Sequence, residues 1–291
     1  MPERMLFRKR GFANSLVVRI GLLILFALSA LTFGMIQLIG QPMVERLAQS
    51  QLQLASGQLE NRYERLLDLV EITLRSSKGW IEAGEIEEAD LQQFNEYFFS
   101  LLTHHDEINS VIFADESGRE ILLLLNPQGG WINRISNSAE WGKYSYWITW
   151  DAQRQIQSVT YRELDYDART RPWFKAAMAH AEDSKVVWTE PYLFFTNREP
   201  GMTAAMRWRG KDGRQHIIAH DVRLTDITKV TTDLPLGKQG QAAVLLNDGR
   251  LLAPPRVPEL SDPAALSAAL LKPPAEVGLN VLGKAHRLSI G

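Results

Sequence analysis

Tyr166, Arg171 and Trp173 are the residues here whose types and spacing best suit chemistry. They lie in Tyr166-Asp167-Ala168-Arg169-Thr170-Arg171-Pro172-Trp173-Phe174, which runs on into Lys175-Ala176-Ala177-Met178. Pro172 suits the first position of a helix, where its fixed φ is an advantage and its missing N–H costs nothing. The backbone N–H groups near Trp173 and Phe174 give that helix start a partial positive charge. Arg171, directly before them, adds a full one. Tyr166, Trp173 and Phe174 supply flat apolar walls. The combination makes a pocket for a small ligand carrying a carboxylate or another anion. The competing reading of the same residues is aromatic core flanked by solvated arginines, and Arg169 is read as solvated in either case.

Other chemistry is thinly represented. The chain has 291 residues, a formal net charge of −2 and no cysteine. The charge argues against a general nucleic-acid binder. Disulfide frameworks, thiol chemistry and cysteine zinc sites are excluded. There is no Gly-x-Ser-x-Gly elbow and no His-Glu-x-x-His helix. Gly278-Leu279-Asn280-Val281-Leu282-Gly283-Lys284-Ala285 has the glycines and lysine of a phosphate loop. Ala285 removes the hydroxyl that would hold Mg²⁺, and no nucleotide-binding strand–helix unit surrounds it. His216 and His220 fall four apart in a strand pattern, on one face, with no third metal ligand evident. His104-His105 reads as a polar loop. No enzyme active site assembles from the visible chain, and no cofactor or metal is implied.

The elements that must position the aromatic motif follow from the chain in order. Residues 1–15 are basic, and from Ile20 to Ile39 no charged residue occurs. A helix of that length spans a bilayer core, and its basic flank predicts a cytoplasmic N-terminus. Ala27-Leu28-Ser29 places small residues as a signal-peptide cleavage site would, but the apolar run continues past it. Gln41-Pro42 is expected to close the span. From Met43 to about Ser77, Val44, Leu47, Leu54, Leu66, Val70 and Leu74 form an apolar stripe on a long polar helix. Trp80 to Ala89 reads as a connector. Asp90 caps a helix from Leu91 to Leu102, with Leu91, Phe94, Phe98 and Leu101 on one face.

Beyond Asp106 the period changes to that of strands: residues 110–115, 120–125, 144–150, 155–161, 186–188, 202–208 and 216–222. Glu116-Ser117-Gly118-Arg119 and Lys211-Asp212-Gly213 are turns. Asp226 to Leu234 reads as a helix, residues 241–246 and 250–253 as a hairpin, and Pro263 to Leu271 as a last helix. Helices followed by an antiparallel sheet with one inserted helix give an α+β fold. About 60 residues after the sheet are few for a core of their own, which suggests the front of a longer protein.

Over about residues 16–260 the chain resembles the double-Cache extracellular sensor domains of bacterial transmembrane receptors. Asp165 to Ala177 resembles the family's ligand-helix signature. Trp188-Thr189-Glu190-Pro191-Tyr192, Pro200-Gly201-Met202-Thr203-Ala204 and His220-Asp221-Val222 follow in the family's order. The resemblance implies two PAS-like antiparallel modules, the second apparently truncated. Its domains would be a cytoplasmic tail (1–15), a transmembrane helix (16–40), a stalk helix (43–78), a membrane-distal module (79–232) and part of a proximal one (233–291).

For the family's amino-acid binders, the resemblance implies that Tyr166, Arg171 and Trp173 hold the ligand carboxylate. An arginine's planar fork suits that group. Tyr192 and Asp221 match two later positions, Asp221 facing an amino group. Phe174 stands where those binders carry tyrosine, which removes one hydrogen-bond partner of that amino group. Asp221 also ends an apolar strand, and a buried carboxylate needs a partner: Arg171, a backbone donor or a ligand amine.

These readings converge on an extracytoplasmic small-molecule sensor of an inner-membrane receptor. Its ligand would be an amino acid or another carboxylate, with Tyr166, Arg171, Trp173, Phe174, Tyr192 and Asp221 as the site. The expected partners are the membrane and a second copy of the chain, and no nucleic acid. The alternative is a ligand-free structural or dimerisation module, with the long helix holding two chains together.

Overall fold

The computed structural model describes residues 3–86, 90–126, 128–236, 240–280 and 282. The chain divides into two compact units, Met1–Gln58 and Leu59–Gly291.

In the first unit, helix α1 (Glu3–Met35) runs into a π-helical turn, Ile36–Gly40, and helix α2 (Gln41–Ala83) begins there. The helical path therefore continues through Gln41-Pro42, where the sequence predicted a break. Proline lacks an N–H, and its ring crowds the carbonyl four residues back. The wider π turn absorbs both, with Gln41 N–H donating to Ile36 O. The helical stretch starting at Val17 has an 18-residue window of mean hydropathy 2.3, none of it buried. By length and composition it is apolar enough to cross a membrane.

In the second unit, α2 extends to Ala83, six residues past the expected Ser77, and Gly84 at φ +81° follows its end. Helix α3 (Leu91–His104) starts where Asp90 Oδ1 accepts from Gln92 N–H at 2.9 Å and Gln93 N–H at 3.1 Å. His104 is thus the last residue of α3, not a loop residue.

Nine strands form one sheet: β1 (Ser110–Asp115), β2 (Arg119–Leu125), β3 (Trp131–Asn137), β4 (Tyr144–Trp150), β5 (Ile156–Glu163), β6 (Val187–Trp188), β7 (Tyr192–Leu193), β8 (Pro200–Arg209) and β9 (Gln215–Arg223). Their order is β5-β4-β3-β2-β1-β9-β8-β6, with β7 also on β8, and every pairing is antiparallel. Short helix α4 (Ser138–Trp141) links β3 to β4, and α5 (Pro172–Ala179) lies between β5 and β6. Strand β3 was not anticipated from the sequence.

All six residues of β1 are buried, as expected of a central strand covered on both faces. Val111 and Phe113 join Ile121, Leu123, Met206 and Ile218 against Val70 and Leu74 of α2 and Phe94 and Phe98 of α3. Ile112 and Ala114 point the other way, joining Leu122, Leu124, Ile217 and Ala219 against Tyr166, Trp173, Phe174 and Ala177. The period of two along each strand thus sorts one face to the long helices and the other to the aromatic motif.

Helix α6 (Leu224–Thr232) follows β9. Strands β10 (Val244–Leu245) and β11 (Leu251–Ala253) then form a small bulged hairpin, and α7 (Pro263–Ala269) is capped by Asp262. Leu252, Ala253 and Leu270 share the apolar core that holds Ile227 and Val230 of α6. In the glycine-lysine stretch 278–285, Val281, Gly283, Lys284 and Ala285 lie outside the described residues.

Candidate functional site

The motif folds as its residues dictate. Asp167 Oδ1 accepts from Arg169 N–H at 2.9 Å and starts a 3₁₀ turn, Ala168–Thr170. Arg171 is then extended, at φ −77° and ψ 150°, and Pro172 opens α5. Arg169 pairs with Asp167 at 2.7 Å on the surface, as a solvated residue would. The Arg171 backbone N–H donates to Ala168 O at 3.0 Å, but its guanidinium has no hydrogen bond or ion pair among the described residues. Its Cζ lies 5.9 Å from the ring centroid of Tyr192 and 5.4 Å from that of Phe195.

These residues wall a cavity on the sheet face opposite α2 and α3. Tyr166, Arg171, Trp173, Tyr192 and Asp221, five of the six predicted residues, line it together. The cavity is narrow, about 20 Å³ in volume. Phe174 is the sixth. It is buried in the core under α5, in T-shaped contact with Trp173, and does not line the cavity. Consecutive helix residues point about 100° apart, so Trp173 and Phe174 cannot share one narrow face.

Asp221 sits at the floor of the cavity. Its neighbours in register are Ser110 on β1 and Thr203 on β8. Both donate to it: Ser110 Oγ to Oδ2 at 2.6 Å, Thr203 Oγ1 to Oδ1 at 2.6 Å. These hydroxyls, not Arg171 or a backbone donor, are its partners in the fold. The hydroxyl of Tyr192 lies 2.7 Å from Thr203 Oγ1 and extends the chain of hydrogen bonds. Burial pushes the Asp221 carboxyl up to about 6, against the two hydroxyls and the charge of Arg134, which pull it down.

The back wall is a polar network that sequence reasoning missed. Arg134 Nη2 donates to both oxygens of Glu120, at 2.8 and 3.1 Å. Tyr166 donates its hydroxyl proton to Glu120 Oε1 at 2.8 Å, and Ser136 Oγ donates to Oε2 at 3.2 Å. Burial raises the Tyr166 phenol well above its ordinary range, so it stays a donor. Arg134 and Glu120 are 2% and 0% exposed as side chains, a fully enclosed pair. The one sequence signal for it was opposite charges fourteen residues apart within a strand-rich region.

The two histidines face away from the cavity. His220 Nε2 lies 3.2 Å from Ser77 Oγ on α2, and its Nδ1 lies 3.5 Å from Thr73 Oγ1. Burial pushes His220 down to about 3, with the nearby His105 acting in the same direction. His216 Nε2 lies 2.9 Å from Asp212 Oδ1. Each imidazole therefore has a partner within the fold.

No family model matches the chain. Over 91 residues, 31% of this chain, it is 31% identical to the methyl-accepting chemotaxis protein PctB of Pseudomonas aeruginosa. Over 89 residues it is 28% identical to the methyl-accepting chemotaxis protein TlpA of Bacillus subtilis. The matches span 14% and 13% of those two proteins. Among solved structures, a methyl-accepting chemotaxis protein X aligns with a TM-score of 0.50 at 16% identity, over 83% of this chain and 84% of that one. The ligand-binding domain of the Pseudomonas fluorescens chemoreceptor CtaA, in complex with L-serine, aligns with a TM-score of 0.48 at 14% identity, over 80% and 78%. The α+β unit with its nine-stranded antiparallel sheet is thus similar to the double-Cache ligand-binding domains of bacterial methyl-accepting chemotaxis receptors.

Proposed function

We propose that this chain contributes the ligand-binding sensor domain of a membrane signal-transduction receptor, and that the cavity beneath α5 takes a small carboxylate-bearing molecule. One observation carries the reading: Arg171, whose guanidinium has no hydrogen bond or ion pair among the described residues, and Asp221, a buried carboxyl, line the same cavity. Arg171 would hold the ligand carboxylate. Trp173 and Tyr192 would flank the ligand, and Asp221 would face the amino group of an amino acid. The CtaA domain named above is a protein in complex with L-serine, which makes amino acids the first class to screen. Phe174 contributes packing beneath α5 in this reading, not a ligand contact.

In this reading residues 16–40 cross the inner membrane, residues 1–15 lie in the cytoplasm and the sheet domain lies outside it, which the apolar, unburied helix from Val17 supports. Residues 43–78 would form the stalk, 79–232 the membrane-distal module and 233–291 the start of a proximal one. The assembly would be a homodimer. Ligand shifts such a domain only by binding one of its states better than another. Isothermal calorimetry on the full chain in detergent, against amino acids and short organic acids, tests the reading. An Arg171→Ala protein that binds the identified ligand as tightly as wild type sinks it.

The second reading is a ligand-free structural module, and the narrowness of the cavity favours it. Absence of any thermal shift across the same screen would decide for it.

A further inference from the structure

The cavity holds one charged residue that the ligand-binding reading leaves without a task. Arg134 lines it, is fully enclosed, and its Nε has no hydrogen-bond partner among the described residues. Its Nη2 is committed to Glu120, and its Nη1 donates to Thr196 Oγ1 at 2.6 Å. Thr196 belongs to the loop between β7 and β8, from which Phe194, Phe195, Thr196 and Asn197 line the cavity. That loop closes on itself through Phe194 N–H to Glu199 O at 2.9 Å and Arg198 N–H to Phe194 O at 3.1 Å. Arg198 takes the left-handed φ of 61° at its turn. Arg134 therefore ties a preformed hairpin tip to β3 across the cavity.

We propose that Arg134 sets what this pocket accepts. With Glu120 it builds a polar back wall that fits ligands with short polar side chains, and through Thr196 it holds the β7–β8 loop over them. The proposal rests on the ligand-binding reading above. An extended apolar side chain would press methylenes against an ion pair, gaining little apolar contact while displacing the pair's polar surroundings. A longer side chain would also have to push the loop away and break the Arg134–Thr196 bond. Glycine and serine ask for neither.

The test uses the full chain in detergent, with glycine, L-serine and L-leucine as probes. Glu120→Leu/Arg134→Met removes both charges together and leaves no uncompensated buried ion. Wild type is expected to bind glycine or L-serine in preference to L-leucine. The double variant is expected to move that ratio toward L-leucine by about tenfold or more. A second arm needs no ligand. Hydrogen exchange of amides 194–199 is expected to quicken about tenfold in Thr196→Val and to stay near wild type in Thr196→Ser.

Arg134→Lys, which keeps a charge but loses the fork, is expected to quicken the loop as Thr196→Val does and serves if the double variant does not fold. A folded double variant with an unchanged ratio, or wild-type exchange in both Thr196→Val and Arg134→Lys, overturns the proposal. Wild type binding none of the three probes counts against the ligand-binding reading instead, and the exchange arm still decides the role of Arg134.

Discussion

The guanidinium of Arg134 lies on the face of Tyr166, with Cζ 3.8 Å from the ring centroid. The same tyrosine is held at its other end by Glu120, which accepts its hydroxyl proton. Fixed by face and by tip, Tyr166 has little rotamer freedom to lose when a ligand arrives, and such preorganisation favours affinity. Its hydroxyl is spoken for within the protein. Under the proposed reading, a ligand carboxylate would then depend chiefly on Arg171.

Replacing Arg171 by alanine should therefore weaken binding of a carboxylate ligand by about 10- to 100-fold, the worth of one charge-assisted hydrogen-bonded contact. Lysine should recover part of the loss, since it restores the charge without the fork. Calorimetric Kd values for the three proteins check both statements.

Under the same reading, Asp221 should make binding depend on pH. Its carboxyl titrates near 6 in the fold. Affinity for an amino-acid ligand should rise as pH climbs through about 6 and level off above it, because the ammonium requires the ionised form. A ligand with a carboxylate alone should show the opposite slope. Asp221→Asn should flatten both curves, as titrations between pH 5 and 8 would show.

The same carboxyl makes a stability prediction. Its folded value lies above the ordinary carboxylate range, so the folded state holds the proton longer than the unfolded chain. Its stabilising contribution is present below about 4 and is lost as pH rises to about 6. Asp221→Asn should consequently stabilise the ligand-free protein at pH 7, by on the order of 1–3 kcal/mol. Chemical denaturation gives the value, and a destabilised variant would contradict the argument.

His220 works in the other direction. Buried between β9 and α2, it titrates near 3 in the fold, below its free value. The unfolded chain takes up the proton first as pH falls, so stability drops progressively from about 6.5 towards 3. Because Asp221 offsets part of this, the acid limb should be steeper in Asp221→Asn than in wild type. His220→Gln in that background should flatten it.

Phe174→Tyr separates packing from binding. The ring lies under α5 and away from the cavity, so a new hydroxyl there would be buried without a partner. The expected result is a loss of about 1–3 kcal/mol in stability. Amino-acid affinity should stay within about twofold of wild type. A gain in affinity would show that position 174 reaches the ligand after all.

The sequence was most readable where burial is one-sided and local. The Asp90 cap, the Phe94 and Phe98 stripe of α3, and the apolar runs of β1, β2, β8 and β9 all announced their elements. Of the six residues picked out by the motif and its resemblance, five line one cavity. Strand β3 was hidden because Trp131-Ile132-Asn133-Arg134-Ile135-Ser136-Asn137 puts polar residues on both faces. Asn133 and Arg134 have buried partners that only the fold supplies. Asn133 exchanges hydrogen bonds with Asn95 on α3 at 2.9 Å, and Arg134 reaches Glu120 diagonally across the β2–β3 pair. The partners of Asp221 were obscured likewise, since Ser110 lies 111 residues away. The π turn before Pro42 was unreadable because it is a backbone adjustment with no side-chain signature.

The sheet is closed by short strands at one end and left open at the other. Strand β5 pairs with β4 alone among the described residues, and all eight of its residues are exposed, Tyr161 at 70%. Its outer row of N–H and C=O groups offers a ready template to any extended chain. Arg162 and Glu163 are its only charged residues, and it contains no proline or lysine to discourage an addition. Preparations of this domain will therefore owe part of their colloidal stability to whatever shields those eight residues, and handling conditions that mask the two charges will erode it.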